Sequence, residues 1–260
     1  MIQSLASRAR AVAYLALVAV AAALCFEAGA QPTLKVTRTA SAKLQLQDAY
    51  ELGYNDLKRM PNRQALSLAS GDVDGDGFPD LLSGYASDGG GAIVLHRGNQ
   101  EAWAPSTPAS LALVAGGQLP GGFESTSTEW NVPVAPDLMV SGDFNGDGRA
   151  DIVIARRGDT QMFFLAGQRS GIAAPMQIKL DAGVDAMASG LIDSRDGFPR
   201  LVAAVSSVQG ASLLTFSQGV HSPATQRALA APVEALAIGK LDPDSTGDVV
   251  MLSAGRVQIL

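Results

Sequence analysis

The chain repeats one arrangement of apolar and polar positions four times. Each copy opens with a short strand of alternating apolar and small residues, reaches a glycine, crosses a polar turn and resumes as a second apolar strand. The copies read ALSLASGDVDGDGFPDLLSGY from Ala65, LMVSGDFNGDGRADIVIARRG from Leu138, AMASGLIDSRDGFPRLVAAVS from Ala186 and ALAIGKLDPDSTGDVVMLSAG from Ala235. A third apolar segment follows in each: GAIVLHRG from Gly91, MFFLAGQ from Met162, SLLTFSQG from Ser212 and VQIL from Val257. Turn residues such as Ser87-Asp88-Gly89-Gly90 and Gly158-Asp159 separate second and third segments and suit hairpins. The nearest approach to a sustained 3.6-residue apolar period is Leu44 to Leu57.

The residues just after the leading glycine are Asp72, Asp143, Leu191 and Lys240, separated by 71, 48 and 49 residues. Two nearly equal steps suit a four-stranded propeller blade, and the longer one fits a blade plus an insertion of about 20 residues. That insertion is placed within Asn99 to Pro136, which is rich in Pro, Gly, Ser and Thr and holds both tryptophans, Trp103 and Trp130. The expected fold is therefore all-β, a β-propeller with about four recognisable four-stranded blades. Their expected spans are 61–132, 133–181, 182–230 and 231–260, the last incomplete. The sequence stops in an apolar strand, Val257 to Leu260, and an unpaired strand edge is a liability. An incomplete propeller is the expectation, with Lys35 to Leu46 able to supply the strand that completes the last blade.

The polar turns carry the chemistry. Asp72, Asp74, Asp76 and Asp80 stand at positions 1, 3, 5 and 9 of a tight loop, with the Phe78 carbonyl at position 7. Oxygens so placed can converge on one hard cation, and calcium takes six to eight of them. Four carboxylates this close repel one another without a cation. Gly77 at position 6 permits the reversal that joins the two halves. The second loop repeats this with Asp143, Asn145, Asp147, Asp151, Gly148 at position 6 and the Arg149 carbonyl at position 7. The third has Leu191 at position 1 and Arg200 near position 9, so its ligands are gone. The fourth keeps Asp242, Asp244 and Asp248 but has Lys240 at position 1, where an ammonium can replace the metal. Calcium is thus expected in two loops, with a third site left open.

The flanks decide the type of loop. An EF-hand needs a bidentate Glu at position 12 and helices on both sides; here position 12 is Ser83 or Ile154, and strands flank the loop. The position-9 carboxylate followed by Leu81-Leu82 or Ile152-Val153 resembles the FG-GAP repeat (integrin α-like, also called VCBS), over roughly Ala65 to Leu260. The resemblance implies a propeller with each calcium loop in the hairpin between a blade's first two strands. It also implies that the metal braces one rim while partners meet other loops.

Residues ahead of the repeats change the setting. Arg8 and Arg10 precede an apolar run, Ala11 to Cys25, and Ala28-Gly29-Ala30 offers small residues for cleavage. This is the grammar of a secretory signal peptide over residues 1–30, followed by an N-terminal segment, 31–60. A secreted or periplasmic protein without a stable membrane anchor is expected. Cleavage would remove Arg8, Arg10 and Glu27 from 19 basic and 25 acidic residues, leaving 17 and 24, net −7, and no cysteine. With no disulfide possible, another staple is needed, and bound calcium is a common one; the acidic balance argues against a nucleic-acid partner.

Catalytic patterns are thin: His96 and His221 are far apart, and no nucleophile-elbow, zincin or P-loop motif occurs. Arg157-Gly158-Asp159 spells the tripeptide that integrins recognise, at a predicted turn where Gly-Asp is ordinary. Trp103 and Trp130 suit either a sugar- or peptide-binding platform or packing. The leading expectation is a binding, adhesion or scaffold module for a protein or carbohydrate ligand. The alternative is a carbohydrate-active lyase or hydrolase with its site on the channel loops.

Overall fold

Strand pairing gathers the repeats into four antiparallel sheets. The computed structural model describes residues 63–193, 197–216, 220–221, 223–244 and 246–260. The expected signal peptide, residues 31–60, the Leu44–Leu57 segment and the Lys35–Leu46 strand lie outside the described residues. The first sheet contains β1 (Ala65–Gly71), β2 (Asp80–Ser87), β3 (Gly90–Gly98) and β4 (Phe123–Val132), in that order. The second holds β5 (Leu138–Gly142), β6 (Asp151–Ala155), β7 (Gln161–Leu165) and β10 (Met176–Lys179). A small hairpin, β8 (Gly167–Gln168) and β9 (Gly171–Ile172), interrupts the run from β7 to β10. The third has β11 (Gly183–Gly190), β12 (Arg200–Ser207), β13 (Gly210–Phe216) and β14 (Pro223–Leu229). The fourth has three strands, β15 (Ala235–Gly239), β16 (Asp248–Ser253) and β17 (Arg256–Ile259).

The register is the same in each sheet. The glycine that ends the first strand pairs with the first residue of the second: Gly71 with Asp80, Gly142 with Asp151, Gly190 with Arg200 and Gly239 with Asp248. Every acidic turn therefore closes one hairpin at one edge of its sheet. First strands also meet first strands, β1 against β5, β5 against β11 and β11 against β15.

Three apolar cores separate the four sheets. β6 shows how one strand serves two of them, sending Ile152 and Ile154 into the first and Val153 and Ala155 into the second. β12 does the same with Leu201, Ala203 and Val205 on one side and Val202 and Ala204 on the other. A strand buried on both faces reads as a continuous apolar run rather than an alternating one. This stacking of four-stranded antiparallel sheets through their faces is that of β-propeller blades, and the fold is all-β.

The insertion falls within the expected Asn99–Pro136 span and includes helix. Residues 99–122 leave the first blade through two short helices, Gln100–Trp103 and Pro108–Ala115. Phe123–Val132 then returns as the blade's outer strand. The second helix escaped periodicity because it is apolar all round. The tryptophans are placed differently: Trp130 packs on the first core and its ring stands against Gly171, whereas Trp103 is 67% exposed.

Candidate metal centre

Both intact loops are built by their own first carboxylate. Asp72 accepts from the N–H groups of Gly75 (2.7 Å) and Asp76 (3.0 Å) on Oδ1, and of Gly77 (2.8 Å) on Oδ2. Asp143 repeats this with Gly146 (2.6 Å), Asp147 (3.1 Å) and Gly148 (2.9 Å). The chain turns at Gly77 (φ +91°) and Gly148 (φ +84°), where a side chain would be strained. Asp76 and Asp147 then accept from the N–H groups of Phe78 (2.8 Å) and Arg149 (2.9 Å), the residues whose carbonyls occupy position 7.

The position-9 carboxylates tie loop to blade. Asp80 is buried and accepts from Val73 N–H (3.0 Å) at the loop's start and Gly98 N–H (2.9 Å) at the end of β3. Asp151, also buried, accepts from Phe144 and Asn145 (3.0 Å each) and from Gly167 (3.0 Å). Burial pushes both carboxyls up, Asp151 to about 6, although these same N–H groups pull the other way. A cation in the loop would reverse that shift by favouring the ionised form.

The two loops differ in what stands between the carboxylates. In the first, oxygens of Asp72, Asp74 and Asp80 lie within 4.8 Å of one another, a spacing that could hold a metal. The donor set is all oxygen, as a hard cation requires. The Arg97 guanidinium pairs with Asp74 and also donates to the Arg169 carbonyl (3.2 Å) in the β8–β9 hairpin, so it competes for one carboxylate. In the second loop, the Asn145 amide nitrogen spans Asp147 Oδ2 and Asp151 Oδ1 at 3.2 Å each. Exchanging that amide's oxygen and nitrogen would turn an acceptor toward Asp151.

Residues 65–96 match the FG-GAP repeat family. That FG-GAP match covers β1, the first acidic loop, β2 and most of β3. No curated protein matches the sequence. Among solved structures, BBS1N in complex with ARL6DN, soaked with lead, aligns with a TM-score of 0.47 and 12% identity, over 76% of this chain and 59% of that one. A rhamnogalacturonan lyase from Bacillus licheniformis aligns with a TM-score of 0.45 and 13% identity, over 74% of this chain and 41% of that one. The chain thus spans less than two thirds of either.

The fourth repeat keeps the loop frame, with Asp244 N–H donating to Asp242 (3.0 Å), and departs from it at position 1, where Lys240 stands. Asp248 still accepts from Leu241 N–H (2.7 Å), as Asp80 does from Val73. Asp244 accepts from the Thr246 N–H (2.8 Å), as Asp76 does from Phe78, and also from the Thr246 hydroxyl; these bonds, with Lys240 adding least, hold it below the usual carboxylate range. Among the third loop's described residues, Asp193 bridges to Thr246, and Ile192 O accepts from Gly247 N–H (2.8 Å).

One signal was present in sequence and its cause was not. Each of the first three repeats ends its first strand in Ser-Gly. Ser141 Oγ donates to Ser70 O (2.6 Å), and Ser189 Oγ to Ser141 O (2.8 Å), joining first strands of neighbouring blades. The glycines give the next blade room: a Cβ at Gly71 would lie 2.6 Å from Ala150 Cβ, and one at Gly190 would lie 2.7 Å from Ile238 Cγ2. The integrin-like tripeptide is also occupied with assembly. Gly158 N–H donates to Val184 O (2.8 Å), Val184 N–H to Asp159 O (3.0 Å), and the Arg157 guanidinium to Asp185 O.

Proposed function

We propose that this chain is an exported, calcium-stabilised β-propeller module that binds or scaffolds a protein or carbohydrate. Its acidic loops brace one rim of the blades and leave recognition to other loops. The observation that carries the metal reading is the convergence of Asp72, Asp74 and Asp80 on one point at the end of a hairpin. The same loop is fastened to the next blade, because Asp72 O accepts from Ala150 N–H (2.7 Å). A cation held there would stiffen an inter-blade joint as well as a turn.

In the first loop Asp72, Asp74, Asp76 and Asp80 would supply carboxylate oxygens and Phe78 its carbonyl. In the second, Asp143, Asn145, Asp147, Asp151 and the Arg149 carbonyl would do so. Calcium would supply charge neutralisation, and water would fill the remaining positions. Export rests on the reading of residues 1–30, and the calcium-rich exterior is where loops of modest affinity fill.

Calorimetric titration of the chelator-treated chain with calcium tests the metal assignment. Two sites are expected in the native chain, with one lost in Asp72→Asn and the other in Asp143→Asn. No calcium-dependent heat in the native chain would sink it.

A further inference from the structure

The excursion between β3 and β4 is a built element. Asn99 closes its base, its N–H donating to Gly122 O (3.0 Å) and its Nδ2 to Gly121 O (2.7 Å). Within it the Glu101 carboxylate collects the Ser106 N–H (2.7 Å) and hydroxyl (2.6 Å), the Thr107 N–H (3.0 Å) and the Ser110 hydroxyl. These bonds tie the helix Pro108–Ala115 to its stem, with Thr107 as its N-cap. Glu101 is also the one charged residue between Arg97 and Glu124.

What the excursion displays is apolar. Only Ser110 of the eight helical residues is buried. Leu111 is 51% exposed, Val114 43%, Leu113 39% and Leu119 80%. Leu111 and Val114 share one side of the helix and Leu113 points to another, so no polar face exists. A protein groove covers one side of a helix and leaves the other wet. A helix apolar on every side is satisfied where its surroundings are apolar on every side, and lipid hydrocarbon provides this. Eight residues span about 12 Å against a hydrocarbon core of about 30 Å, so the contact reaches part of one leaflet and is reversible. No Lys or Arg lies on the excursion, so anionic headgroups are not the attraction. Trp103, exposed at the end of the short helix that precedes this one, is of a residue type that suits the headgroup boundary.

We infer that residues 102–122 form a shallow lipid-contacting finger that docks the propeller on an uncharged bilayer surface. The inference does not depend on calcium binding. It is tested with the full chain and phosphatidylcholine vesicles, with and without brominated acyl chains. Trp103 emission is taken as the difference from Trp103→Tyr, which retains Trp130. Vesicles should shift Trp103 emission to shorter wavelength, and brominated chains should quench it, at low and high salt alike. Leu111→Glu/Val114→Glu and, separately, Leu119→Glu should weaken partitioning at least tenfold while keeping the native melting temperature. An unshifted Trp103 overturns the inference even if the chain sediments with vesicles, since another segment then makes the contact. So does a shift that tracks protein concentration without lipid, which would make a second copy the occupant.

Discussion

Asp72 spends both carboxylate oxygens on three N–H groups of its own loop, so the loop keeps its shape before any metal arrives. Arg97 is the residue that would oppose a metal, because its guanidinium holds Asp74. Arg97→Gln should therefore tighten calcium binding at the first loop on the order of tenfold, about 1.4 kcal/mol, while lowering the melting temperature of the metal-free chain. Unchanged or weaker affinity in a titration would remove Arg97 as competitor. Asp151 makes a pH prediction. Its carboxyl is raised from 3.8 to about 6 in the folded, metal-free chain, chiefly by burial. Folding therefore takes up a proton between those values. The resulting stability is complete below the unfolded value and lost as pH rises through about 6. His96, lowered by burial, pulls oppositely as pH falls through its ordinary 6.5. The Asp151 part is thus the difference between native chain and Asp151→Asn. In chelator, moving from pH 7.5 to 5 should favour the native chain over Asp151→Asn by about 1 kcal/mol. Equal pH slopes for the two would contradict the assignment.

At the scale of the element, the hairpin with its Ser-Gly corner is the unit. Strands were legible because period two and continuous apolar runs both mark them, as β1 and β6 show. The acidic turns were legible because Asp, Asn and Gly recur at fixed offsets between the paired strands. The Pro108–Ala115 helix was not, because periodicity detects a helix by the contrast between its faces and this one has none. Nor was the reason for the corner glycine, which depends on the neighbouring blade. Gly71 and Gly239 occupy equivalent corners, yet a Cβ at Gly239 meets nothing within 4 Å. Gly71→Ala should destabilise by about 1–3 kcal/mol through overpacking. Gly239→Ala should be neutral or slightly stabilising, by less than about 1 kcal/mol, since alanine restricts the unfolded chain. Chemical denaturation of both variants separates the outcomes; equal losses would show that the glycines serve their own strands instead.

At the scale of the whole molecule, the described blades are held by three cores between sheets and by bonds between neighbouring loops. Sequence gave the repeat but not which residues cross from one blade to the next. The crossing at Asp72 O and Ala150 N–H joins the first acidic loop to the second blade. Metal in either loop should therefore stabilise the blades as one cooperative unit. Calcium at about a hundred times its dissociation constant adds about 2.7 kcal/mol per site. In a domain of this size that raises the melting temperature by roughly 5–10 °C. The decisive measurement is the melting temperature of the full chain in chelator and again after calcium is restored. A reversible rise of about twice that, one share from each of the two sites, is expected in one sharp transition, halved by Asp72→Asn or Asp143→Asn. Superimposable melting curves with and without calcium would contradict it.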